Sequence, residues 1–108
     1  MSKEKAYLFH QNNSGGVFVI DDKLCPRVYI KAVSAEEANK KAEEIGIYFN
    51  GVINDIDCPC CGDRWYPVSE GDAVEKYPNA KWDFIWCDYV IVYDVDMKPI
   101  KIFKEFVE

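Results

Sequence analysis

Three thiols crowd into "DCPCCGDRW", residues 57–65, and their spacing suggests metal chemistry first. Cys58 and Cys61 stand as C-P-x-C-G, the knuckle of zinc ribbons and rubredoxin-like sites. Pro59 presets one backbone angle and Gly62 permits positive φ, so two thiolates can converge on one ion. A structural zinc takes four ligands, and no second C-x-x-C is present. Cys60, Cys87, Cys25 or His10 would have to complete the site after folding. The same residues also suit reduced cysteines packed as small hydrophobes in a tight turn. No cofactor is fixed by the sequence; zinc is the one that this spacing suits. A redox C-x-x-C would place its first thiol at a helix N-terminus, and Gly62-Asp63-Arg64 is not a helix start.

The residues beside the thiols suit recognition. Arg64 can pair with a carboxylate or phosphate through two parallel bonds, and Trp65 offers a flat face for stacking. Asp63 stands next to them. A second polar cluster, "HQNNSGG", runs through His10, Gln11, Asn12, Asn13, Ser14, Gly15 and Gly16. It can offer amides and backbone N–H groups to a polar ligand or anion. It lacks the lysine and the following helix of a P-loop. The plain alternatives are a hairpin loop for His10–Gly16, a surface Asp63–Arg64 pair and a core Trp65. A catalytic zinc would need three protein ligands and an open position. With one histidine and no H-E-x-x-H motif, the expectation is binding rather than catalysis.

The elements that must position these clusters are strands with one clear helix. "AYLFH" reads as a strand, and "VFVIDD" resumes the pattern after the polar loop, which predicts a hairpin. "RVYIKAV" predicts a second strand with Val28, Ile30 and Ala32 on one face. Ser34 is a good N-cap with Glu37 three residues on, and Ala35, Ala38, Ala42 and Ile45 form an apolar stripe. A helix over about 35–45 follows, ended by Gly46. Asn50–Gly51 between "IYF" and "VI" predicts a further hairpin. Residues 66–82 read as an irregular loop. "WDFIWCDYVIVYDV" reads as a long strand with Phe84, Trp86, Val90 and Val92 on one face, and "IKIFKEFV" returns after "DMKP". The expected fold class is α+β: a mainly antiparallel sheet with one amphipathic helix on one face.

The chain has 108 residues, so one globular domain over 1–108 is expected. Aromatic residues make up 15%, enough to build a core. No basic start precedes an apolar run, so no secretory signal is expected, and no apolar stretch is long enough to span a bilayer. Five cysteines, an odd number, suit free thiols or metal ligands in a reducing cytoplasm better than a disulfide framework. A net charge of −6 argues against general nucleic-acid binding, which rests on Lys and Arg neutralising phosphates. The partners left are a small polar ligand or another protein.

Taken together, "YLFHQNNSGG", "SAEEANKKAEEIGIYFNGV" and "DCPCCGDRW" resemble a family of small uncharacterised proteins encoded by tailed bacteriophages. The resemblance covers roughly residues 6–66 and carries no assigned activity and no catalytic residues. It implies a protein acting in the bacterial host cytoplasm. It is compatible with counter-defence, either by sequestering a nucleotide-like ligand or, as a zinc-knuckle-stabilised interaction module, by inhibiting a host protein.

Overall fold

The computed structural model describes residues 4–12, 18–57, 62–74, 83–84, 87–94 and 96–106. Among the described residues five strands form one sheet in the order β3-β1-β2-β4-β5. Strand β1, Lys5–His10, alternates between faces: Tyr7 and Phe9 are buried on one side, Ala6 and Leu8 lie on the other. It pairs antiparallel with β2, Arg27–Ala32, in a register running from Lys5↔Ala32 to His10↔Arg27. The two-residue β3, Ala73–Val74, borders β1 on its other side. Strand β4, Tyr89–Tyr93, runs parallel to β2, and β5, Pro99–Phe103, returns antiparallel to it. The sheet is therefore mainly antiparallel, with one parallel pair. A parallel neighbour requires a crossover, and α1, Ala35–Glu44, lies within it.

The helix forms where its stripe predicts. Ser34 Oγ accepts the Glu37 N–H at 3.2 Å. The Glu37 carboxylate does not close a reciprocal box; it sits 3.2 Å from Lys41 Nζ, one turn on. A carboxylate from elsewhere serves the helix start: Glu70 Oε1 accepts the Ala35 N–H at 2.7 Å, and Glu70 Oε2 accepts the Tyr7 hydroxyl at 3.0 Å. These bonds hold the Glu70 carboxyl below its ordinary pKa, the helix N–H first and the tyrosine second. Ala35, Ala38 and Ala42 are buried, which lets the helix approach the sheet closely. Gly46 follows at φ 105°.

Both sheet faces are covered. Under the helix lie Tyr7, Phe9, Val28, Ile30, Ile91 and Tyr93, closed at one end by Trp65, Ile47 and Leu24. The opposite face packs Ala6, Tyr29, Phe84, Val90 and Val92. Val90 and Val92 share that face, as their spacing predicts, and Phe84 reaches it from a turn outside the strand. The carboxylate of Asp83, only 3% exposed, accepts a short bond from the Tyr29 hydroxyl there.

Three expectations are corrected. β1 does not pair with residues 18–22, which carry no strand; residue 17, at the start of the expected partner, lies outside the described residues. Asp21 Oδ1 instead caps the main-chain N–H groups of Lys23 and Leu24, turning the chain so that Arg27–Ala32 becomes the partner of β1. Asn50–Gly51 forms no two-stranded hairpin: the Gly51 carbonyl accepts from both Ile56 and Asp57, coiling residues 51–57 into a compact turn. Among the described residues the long strand expected over 82–95 is seen at Tyr89–Tyr93, with Asp83 and Phe84 in a turn; Trp82, Ile85, Trp86 and Val95 lie outside the described residues. Within 66–82 a short 3-10 turn, Glu70–Asp72, leads into β3. Among the described residues no helix is long and apolar enough to cross a membrane.

Candidate functional site

The two polar clusters meet at one end of the sheet. Past the end of β1 the ladder continues, with Gln11 N–H donating to the Pro26 carbonyl at 2.7 Å. Asn12 then turns to the other cluster: its N–H donates to the Arg64 carbonyl at 2.8 Å, and its side-chain amide donates to the Asp63 carbonyl at 3.2 Å. Arg64 is buried and binds inward. Its Nη1 donates to Gln11 Oε1 at 2.8 Å, and its Nε stands 3.8 Å from Asp57 Oδ1. Asp57 also accepts the Arg64 main-chain N–H and the Tyr48 hydroxyl, each at 2.7 Å. Asp63 Oδ1 takes the Val52 N–H at 2.9 Å. Two segments far apart in sequence are thus locked together through buried, charge-assisted bonds.

The turn that carries Asp57 leaves no room at its centre. A Cβ on Gly51 would fall within the Asp57 carboxylate, 2.6 Å from its Cγ, and 2.9 Å from Tyr48 Cε2. Only glycine lets the backbone approach the carboxylate this closely. Ile53 and Ile56, on the outside of the same turn, are 80% and 59% exposed.

Beside this junction opens a cleft of about 320 Å³, lined by Leu8, His10, Tyr66, Pro67, Val68, Asp72 and Val74. Its floor comes from the sheet face that carries Leu8, His10 and Val74. Its wall is the stretch leaving Trp65, whose own ring is sunk in the core. Tyr66 is 49% exposed, and its hydroxyl reaches back towards Gly62, 3.1 Å from where a Cβ would stand. Asp72 Oδ2 accepts from the Ser69 N–H and hydroxyl at 2.8 and 3.1 Å, which fixes its carboxylate. Arg27 faces His10 across the β1–β2 ladder. Packing around the imidazole lowers the His10 pKa, and the Arg27 guanidinium adds to this, while Asp72 pulls the other way. Near neutral pH the imidazole is uncharged and offers one donor and one acceptor. The cleft therefore combines an aromatic face, apolar walls and a neutral imidazole, with a cation nearby.

The structure brings together Gln11, Asn12, Asp63 and Arg64 from the residues singled out in the sequence, and sets His10 at the neighbouring cleft. It places Trp65 in the core, 1% exposed, with no face for a ligand. Asn13, Ser14, Gly15 and Gly16 lie outside the described residues, as do Cys58, Cys60 and Cys61, and with them the zinc knuckle. Cys25 is buried and donates to the Arg27 carbonyl at 3.0 Å; burial pushes its thiol pKa up to about 11. Cys87 is half-buried. Among the described residues no group of His, Cys, Asp and Glu is arranged to hold a metal ion. Sequence reasoning missed Tyr66, Asp72 and Asp57. The Tyr66-Pro67 dipeptide was the available signal, since proline holds the residue before it extended and outside any helix.

No curated protein and no solved structure matches the chain. One family does match, described as a domain of unknown function, DUF7296, over residues 5–103, from the start of β1 to the end of β5. The chain belongs to the DUF7296 family.

Proposed function

We propose that this chain is a non-enzymatic binding protein that holds a small polar, nucleotide-like ligand in the cleft beside His10. The observation that carries the reading is the union of the two polar clusters through Asn12 and Arg64 next to that cleft. Preformed concave sites with a few convergent polar groups are the usual form of small-ligand sites. Tyr66 would stack on a planar ring, the His10 imidazole would hydrogen-bond an edge, and Arg27 would draw an anionic group. Arg64 acts as a tie that sets the rim, since Gln11 and Asp57 engage it. The resemblance to tailed-bacteriophage proteins makes the setting the bacterial host cytoplasm and the role counter-defence by sequestration.

Isothermal titration across a panel of mono-, di- and cyclic nucleotides tests this. At least one is expected to bind, with affinity reduced at least about tenfold in Tyr66→Ala, the loss expected when a base–aromatic stack is removed. Absence of binding across the panel, together with a bare polypeptide mass after purification from cell extract, overturns it.

A second reading is a protein–protein interaction module that inhibits a host protein. The observation favouring it is the exposure of Ile53 and Ile56 on a turn whose backbone is locked. Loss of a stoichiometric host partner on Ile53→Ser, Ile56→Ser would support it; failure to recover any partner from lysate counts against it.

A further inference from the structure

The sheet ends differently on its two sides. Among the described residues, β3 lies at one edge, over Ala73–Val74. β5 closes the other with five exposed or half-exposed residues. The direction of its backbone groups follows from one bond. Lys104 N–H donates to the Asp88 carbonyl at 2.8 Å, and Tyr89 lies opposite Phe103. In an antiparallel ladder, hydrogen-bonded pairs recur at every second residue. Ile100 and Ile102 therefore turn their N–H groups to β4, while Lys101 and Phe103 turn theirs outward. Pro99, which has no N–H, falls on the outward side, where a missing donor does not break the ladder.

The side chains along this edge have a consistent character. Lys98, Lys101 and Lys104 punctuate "KPIKIFK" with no acid among them, on a chain of net charge −6. Ile100 is 49% and Phe103 39% exposed, one on each face of the sheet. Phe103 leans on Tyr89, ring centroids 5.4 Å apart, and the Lys101 ammonium lies 5.0 Å over the same ring. A groove of about 530 Å³ opens at the end of β5 against Asp88, Phe103, Lys104 and Glu105.

We infer that β5 is a docking edge for an extended acidic segment of a partner protein, which adds to the sheet as a sixth strand. The outward N–H and C=O groups of Lys101 and Phe103 supply the ladder, and apolar residues of the segment pack on Ile100 and Phe103. Charge selects the occupant. A second copy pairing antiparallel about Lys101 would set Lys101 against Lys101 and Lys98 against Lys104, a like-charge arrangement that costs stability. An acidic strand places carboxylates on the same lysines, within a Debye length, where the rest of the acidic surface is screened. This surface is independent of the His10 cleft and stands or falls apart from it.

The probe is a fluorescein-labelled peptide of alternating Glu and Val, with a Lys–Val peptide as its counterpart, followed by anisotropy at low salt. The Glu peptide is expected to bind at least about tenfold more tightly than the Lys peptide, and to weaken as salt screens the lysines. Lys101→Glu, an exposed change that leaves the ladder intact, should reverse that preference. Phe103→Pro removes one outward donor and should abolish binding. Amide exchange gives a direct reading: in the free protein Lys101 and Phe103 exchange fast while Ile100 and Ile102 are protected, and the peptide slows the first pair. Equal binding of both peptides, binding unaffected by Lys101→Glu, or protection of Lys101 and Phe103 in the free chain would each overturn the inference. So would a dimer that Phe103→Pro dissolves.

Discussion

Replacing Arg64 with methionine should destabilise the protein by about 3 kcal/mol, the lower end of what breaking a buried ion pair costs. The side chains of Arg64 and Asp57 are 10% and 1% exposed, so solvent cannot compensate the carboxylate that remains. The cost stays at the lower end for three reasons. The pair is long, at 3.8 Å, and Asp57 keeps the Tyr48 hydroxyl and the Arg64 main-chain N–H. Gln11 Oε1 also retains the Val19 N–H at 2.5 Å after losing the guanidinium. Domains of this size have only about 5–15 kcal/mol of net stability, so the loss is a large fraction of the whole. It corresponds to a fall in Tm of roughly 12–20 °C. Urea unfolding followed by far-UV circular dichroism measures it, with an unchanged slope showing that the two-state description holds. Adding Asp57→Asn should restore about 1–2 kcal/mol relative to the sum of the single changes, because it removes the stranded charge. A loss below about 1 kcal/mol in Arg64→Met, the range of exposed ion pairs, would refute the role of Arg64 as an internal tie.

Three further outcomes follow from the same geometry. Gly51→Ala forces a methyl group into Asp57 and Tyr48 and should cost about 1–3 kcal/mol, the range for overpacked sites, measurable by the same titration. His10 should titrate below its ordinary 6.5 by NMR, and Asp72→Asn should lower it further, since that carboxylate is the group opposing the shift. In sign terms, the His10 contribution to stability is full above 6.5 and declines as pH falls towards the lower folded value, because the unfolded chain takes up the proton first. Cys25, with its thiol pushed up to about 11, should resist alkylation at mildly alkaline pH in the folded protein while half-buried Cys87 is modified; peptide mass mapping separates the two.

Helix α1 was legible because its local signals reinforce one another: the Ser34 cap, the alanine stripe and the glycine after it act over one or two turns. Strand β2 was legible because its two-residue alternation places Val28, Ile30 and Ala32 under the helix. Residues 18–22 were misread because their strand-like pattern met a stronger local competitor, the Asp21 side chain, which turned the chain on itself. Asn50–Gly51 has the residues of a hairpin turn, but the Gly51 carbonyl accepts the Ile56 and Asp57 N–H groups and coils the chain between them. Neither Arg64–Gln11 nor Tyr7–Glu70 could be read from spacing, since each joins residues more than 50 positions apart. Tertiary packing decides such pairs. For the same reason Arg64, read as a candidate for meeting a ligand, is instead tied to the partners that folding delivers to it.

The position of β2 in the sheet divides the molecule into two layers of responsibility. Among the described residues, those lining the His10 cleft and those joined at the Asn12–Arg64 junction come from the chain between Leu8 and Val74. The β4–β5 hairpin is attached on the far side of β2, through the one parallel pairing. Substitutions along the outer strand can therefore retune what the edge accepts without passing through the cleft, and the cleft can change its lining without disturbing the edge. A small domain built this way has two surfaces that can diverge at different rates under different pressures.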